Sequence, residues 1–263
     1  MKKNFHSWNL KGFIRTHLLV AIGIIIFIFF RNSVLFVDLK VFKLLNSSIK
    51  DSVFLQSFWS VLNHKAADWI GDGVMLVFFL IYIFKKSCKA RIAKWAELIL
   101  FTICLSTIIL FVNTYLFRHP LRFERKSPSL VVEEAVRVRK NIRWIKTKDS
   151  SNHSFPGDHA TTAIMFALFF AYFARSPLGY FGIAYGCIMS LPRLILGAHW
   201  LSDILVGSLS IALLIFSWVI LTPIYGCFLK GYSQLVLSMK QKLITKVNLR
   251  SPESLPNSSD LET

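Results

Sequence analysis

Pro192-Arg193 is followed after five residues by His199 and after three more by Asp203. His199 and Asp203 are four apart, so on a helix they share a face. A carboxylate against one imidazole nitrogen fixes the tautomer and leaves the other nitrogen with a free, more basic lone pair. A histidine that attacks phosphorus needs that lone pair. Arg193 stands six residues before His199, and a guanidinium can bind two phosphate oxygens in one plane. The same His–Asp pair could instead tie two helices together. Against that reading, ionisable groups near membrane spans are costly and tend to serve function.

A second group is Ser154-Phe155-Pro156-Gly157-Asp158-His159, directly before an apolar run. Pro and Gly break a helix here and make a loop-to-helix junction. Backbone N–H groups at such a junction favour phosphate, which places Gly157 and Asp158 beside the ligand. His159 is then placed to protonate a leaving oxygen. The third group is Arg118, Arg122, Arg125 and Lys126. Alone they could be interfacial anchors; facing the two histidine groups they read as a phosphate clamp.

Composition says what must carry these groups. Apolar residues make up 54% of the 263, with 24 Phe, and the mean hydropathy is +0.52. A soluble domain of this size needs far less apolar surface; bilayer-spanning helices need it, because hydrocarbon tolerates only internally bonded backbone. Lys and Arg number 31 against 14 Asp and Glu, a net charge of +17. Such an excess favours anionic partners, and in a membrane protein lipid headgroups and phosphate esters outrank nucleic acid. Cys88, Cys104, Cys187 and Cys227 form no CxxC pair, so neither a disulfide framework nor a zinc site is expected.

Six spans of roughly 20 apolar residues are predicted. They are Phe13–Phe30, Gly71–Phe84, Ala96–Phe117, Ala160–Ala174, Leu178–Leu196 and Leu201–Tyr225. The first is read as a retained span and not a cleaved signal. Lys2, Lys3, Lys11 and Arg15 precede it; Lys85, Lys86, Lys89, Arg91 and Lys94 crowd the link between the second and third; Lys230, Lys240, Lys242, Lys246 and Arg250 follow the sixth. Loop charge therefore puts both termini in the cytoplasm. Segments of about 31–70 and 118–159 fall outside. The first should form short amphipathic helices, with Phe54, Leu55, Phe58, Trp59 and Leu62 at helical spacing. The second holds ten basic residues, a violation of the positive-inside preference that a polyanionic ligand would explain. Residues 1–230 are expected to form the membrane-embedded domain and 231–263 a cytoplasmic tail, disordered from about Ser251.

The three groups, in this order, resemble the type 2 phosphatidic acid phosphatase superfamily, with its Lys-x6-Arg-Pro, Pro-Ser-Gly-His and Ser-Arg-x5-His-x3-Asp blocks. Here Pro192 replaces the Ser of the third block, Gly157-Asp158 stand where Ser-Gly is usual, and Lys126 replaces the Pro of the first, with Arg118 and Arg125 keeping its spacing. Asn63 and Asp68, Ser127-Pro128-Ser129-Leu130, Lys146-Thr147-Lys148-Asp149 and Leu221-Thr222-Pro223 are similar to the lipid A 1-diphosphate synthase branch. Members of that branch move a phosphate from undecaprenyl diphosphate onto the 1-phosphate of lipid A. The resemblance implies an all-α, polytopic inner-membrane enzyme with six spans and a site facing the periplasm. It implies lipid partners, no nucleic acid, and neither metal nor cofactor. His199 would be the nucleophile, Asp203 its orienting group and His159 the acid. Arg118, Arg122, Arg125, Lys126 and Arg193 would hold the phosphate. A hydrolase of undecaprenyl diphosphate or of the lipid A 1-phosphate would carry the same three blocks. A proton-relaying transporter is a further reading, opposed by charges that cluster at one membrane end.

Overall fold

The computed structural model describes residues 7–85, 88–117, 119–174 and 177–248. Arg118, Lys2, Lys3, Lys86, Arg250 and the tail from Ser251 lie outside the described residues. The described chain is helical: α1 Leu10–Phe29, α2 Arg31–Ser47, α3 Val53–Leu62, α4 Lys65–Phe84, α5 Ala90–Leu116, two single-turn helices α6 Pro128–Val131 and α7 Val138–Asn141, α8 Asp158–Ala174, α9 Pro177–Ile195, α10 Asp203–Leu221 and α11 Ile224–Asn248. The last part of α5 (Thr107–Leu116), the end of α8 (Phe170–Ala174) and the start of α10 (Asp203–Ser208) wind as wider π-helix.

Among the described residues five helices are long and apolar enough to cross a membrane: α1, α4, α5, α9 and α10. The predicted fourth span is found in α8, which is apolar but shorter, 17 residues over Asp158–Ala174. At 1.5 Å per residue it reaches about 25 Å, just under the hydrocarbon thickness. Three predicted boundaries move by several residues. The third span begins at Ala90 and not at Ala96. The second begins at Lys65 and not at Gly71, so Asp68 belongs to the helix and not to the outer segment expected up to 70. The sixth ends at Leu221 and not at Tyr225, because Thr222 turns extended and Tyr225 already belongs to the next helix. That helix, α11, runs without a break through the boundary expected at 230.

The bundle core is aromatic. Phe79, Phe101, Phe166, Phe169 and Phe170 are all buried in it, and their rings meet at centroid distances of 4.6–5.9 Å. Such contacts add specificity beyond the area they bury. α8 and α9 pack most closely. A Cβ on Gly186 would lie 2.6 Å from the Ala163 carbonyl oxygen, and one on Gly182 2.8 Å from the Phe170 Cβ. Small residues at this four-residue spacing let two backbones approach where a side chain would part them. The outward faces are apolar and exposed, as at Ile25, Phe29, Phe111, Phe181, Ile188 and Leu205, the pattern of lipid contact.

A cap closes the end of the bundle where α8 and α10 begin. α2, α3 and the segment 119–157 form it around a small core of Ile49, Val138, Ile142, Ile195 and Leu196. The predicted apolar face of α3 divides: Leu55 and Trp59 pack against that small core, Phe54 and Phe58 are exposed, and Gln56 and Ser60 are buried. The polar face binds the cap. Gln56 donates to the Ile49 carbonyl at 3.0 Å and accepts from Asn141 at 3.0 Å, and the Ser60 carbonyl accepts from Thr147 at 3.1 Å. Gly197, at φ +75°, makes the left-handed turn that stops α9 and brings the chain back to His199.

Candidate active site

The site assembles where the cap meets the bundle. His199 sits in the turn between α9 and α10 and is 8% exposed. Its Nδ1 lies 2.6 Å from the Ser154 carbonyl oxygen. A carbonyl only accepts, so Nδ1 carries the proton and Nε2 keeps its lone pair. The orienting partner is thus not the one that the four-residue spacing suggests. Asp203 Oδ2 lies 3.8 Å from Nδ1, too far for a hydrogen bond. That carboxylate is fully buried and accepts from the Trp200 N–H at 2.8 Å and from Arg125 Nη1. Asp203 opens the π-wound turn of α10, so the α-helical geometry assumed for an i, i+4 pair does not hold there.

His159 is the second residue of α8 and half-exposed, its Nδ1 3.6 Å from Asp68 Oδ1. Asp68, in the first turn of α4, also accepts from Arg193 Nη2 through both oxygens, at 2.8 and 3.0 Å. Arg193 is 4% exposed, and its Nη1 donates to the Asn63 carbonyl at 3.2 Å and to the Asn63 side chain. The end of α3, α4 and α9 are therefore joined at one guanidinium. A buried arginine so completely paired holds geometry firmly, and its charge is already offset.

Arg125 has the same character. Nη2 donates to Asp38 Oδ2 at 2.8 Å, and Nη1 donates to Ser202 Oγ at 2.8 Å and to Asp203. Asp38 is buried on α2 and also accepts from the Ser202 N–H at 2.9 Å. Arg122 and Lys126 are exposed, and Arg122 holds a left-handed φ of 44°. Gly157 lies against the nucleophile: a Cβ there would sit 3.3 Å from His199 Cε1. Its N–H donates to Ser208 Oγ at 3.2 Å and is not open to a ligand. Asp158 accepts from Asn113 Nδ2 at 2.8 Å.

A cavity of about 50 Å³ opens in front of these groups, lined by Asn113, Lys148, His153, Asp158, His159 and His199 among others. A second one, about 210 Å³, shares Asp158 and His159 and runs down between the helices past Asp68, Asp72 and Tyr185. The structure thus brings His199, His159 and Asp158 to one cavity and sets Arg193, Arg125 and Asp203 in the wall behind it. Asp38, Asn113, Lys148 and His153 were not singled out by spacing. Asp38 looked like part of an interfacial helix, and Asn113 an ordinary polar residue in an apolar run. Among the described residues no cluster of His, Cys, Asp and Glu has the arrangement of a metal site.

Residues 99–226 match the model of the PAP2 superfamily. Over 188 residues the chain is 27% identical to lipid A 1-diphosphate synthase of Escherichia coli (strain K12), covering 72% of this chain and 77% of that protein. No solved structure matches it.

Proposed function

We propose that this chain, a member of the PAP2 superfamily through residues 99–226, is a lipid phosphotransferase of the inner membrane. It moves the terminal phosphate of undecaprenyl diphosphate onto the 1-phosphate of lipid A. The observation that carries the reading is the pair of imidazoles on one cavity, with the proton of His199 held on Nδ1 by Ser154. Nε2 attacks the terminal phosphorus of the donor, and the bond from that phosphorus to the bridging oxygen breaks. His159 gives that oxygen a proton or a hydrogen bond as undecaprenyl phosphate leaves. Asp203 and the Ser154 carbonyl stabilise the imidazolium side of the phosphohistidine. An oxygen of the lipid A 1-phosphate then attacks the phosphohistidine, and Nε2 leaves with its lone pair restored. The transition state is loose and spreads charge over the equatorial oxygens, so fixed cations serve it well.

The site faces the periplasm, with α8 as the sixth span and both termini in the cytoplasm. The basic segments before α1, between α4 and α5 and in α11 support that orientation. The choice of lipid acceptor over water rests on the likeness to the synthase. A hydrolase would use the same first half-reaction.

Labelled undecaprenyl diphosphate supplied to the detergent-solubilised protein, with and without lipid A, separates the two. Label is expected in lipid A when it is present; free phosphate as the main product under both conditions would overturn the transfer. His199→Ala is expected to cost about 10⁴-fold or more in either reaction, the scale seen when a nucleophile is removed, with an unchanged melting temperature. Retained turnover would take His199 out of the mechanism.

A further inference from the structure

Two of the guanidinium groups expected at the phosphate are engaged elsewhere. Arg193 is divided between Asp68 and Asn63, and Arg125 between Asp38, Ser202 and Asp203. The cavity in front of the two imidazoles nevertheless has a permanent cation in its wall, Lys148. Among the described residues no ion pair engages its ammonium.

Its backbone, by contrast, is pinned on both sides. The Lys148 carbonyl accepts from Asn63 Nδ2 at 2.9 Å. Thr147 Oγ1 donates to the Ser60 carbonyl at 3.1 Å. Asp149 is 1% exposed and accepts from Arg137 Nη2 at 3.1 Å and Nε at 3.3 Å. Thr147 and Asp149 are buried and Lys148 between them is exposed, so the strap presents a single cation to the opening. A charge fixed at its root and not already neutralised is what an incoming oxyanion needs, because no reorganisation is then paid during the reaction. Asn113 lines the same cavity, is 4% exposed and leaves its Oδ1 without a partner.

We propose that Lys148 is a phosphate-binding residue of this site and contacts the oxyanion of the phosphate that His199 attacks. It supplies the charge that Arg125 and Arg193, held by carboxylates, do not. The inference rests on the functional reading above only for the identity of the lipid; its substance is an oxyanion subsite in this cavity.

The test uses inorganic pyrophosphate as the probe and the full-length His199→Ala protein, which binds without turnover. Isothermal titration in detergent compares it with the same protein carrying Lys148→Ala, Lys148→Arg or Arg143→Ala. Lys148→Ala is expected to weaken pyrophosphate binding about tenfold or more, the worth of one charge-assisted hydrogen bond. Lys148→Arg should recover most of it, and Arg143→Ala, exposed and off the cavity, should bind like the parent. Equal affinity with and without the lysine, or no binding in the parent, overturns the proposal. Lys148→Gln replaces the alanine variant if its melting temperature falls. Wild-type protein that neither transfers nor releases phosphate would end the functional reading, while the pyrophosphate comparison would still decide the role of Lys148.

Discussion

The proton on His199 is placed by a backbone carbonyl, and that makes the residues around the ring more exacting than a side-chain pair would be. A carbonyl in a loop cannot follow a ring that moves. Gly157 lies against the Cε1–Nδ1 side of the ring, with no room for a methyl group at ordinary contact: a Cβ there would stand 3.3 Å from Cε1 and 3.4 Å from Nδ1. The backbone of Gly157, at φ −86° and ψ 113°, is one that alanine adopts freely. Gly157→Ala should therefore leave the fold intact, tilt the imidazole by a few tenths of an ångström and lower turnover about tenfold or more, as small misplacements of a reacting group do. Phosphate transfer and thermal melting, measured together, check this. Full activity would mean that Ser154 and Gly157 do not hold the ring.

At the scale of elements, the distance between α8 and α9 sets the site, because His159 stands on one and Arg193 on the other. Gly182 and Gly186 allow that distance. Gly186→Leu would drive a branched side chain into the Ala163 carbonyl, which as backbone cannot step aside. The expected cost is about 2 kcal/mol or more, seen as a lower melting temperature, with activity lost well below it. Wild-type melting would show that the helices part without penalty. Much of this layer was legible beforehand. The apolar runs located the spans, and Pro156-Gly157 located the start of α8. What misled was charge inside helices. Asp68 read as part of the outer segment because nothing local reveals that Arg193, 125 positions away, donates to its carboxylate. α3 misled differently: the amphipathic period was right, yet the apolar face divides, with Leu55 and Trp59 on the cap core and Gln56 and Ser60 turned inward to satisfy the cap's carbonyls and amides.

For the whole molecule, one end carries the cap and its ionic groups and the other carries α11. Three sequence blocks separated by tens of residues do meet, and spacing alone named His159, His199 and Arg193. Spacing could not assign Arg125 to Asp38, 87 positions away, or show that Lys148 rather than the arginines lines the opening. Those are long-range pairings that no local pattern encodes. The proposed topology makes a further prediction. Reporters fused at residues 140 and 200 should be read on the periplasmic face, and reporters at 89 and 240 in the cytoplasm; a cytosolic signal at 140 would reverse the orientation.

One guanidinium, that of Arg125, lies between the cap helix and the reaction turn with Asp38 on one side and Asp203 on the other. Lifting the cap like a lid would carry Arg125 away with Asp38 and leave the buried Asp203 carboxylate unpaired, at a cost of about 3–5 kcal/mol. If the proposed function holds, a lipid tail bound for the imidazoles would enter sideways from the acyl layer, through the flank of the bundle and not through the roof.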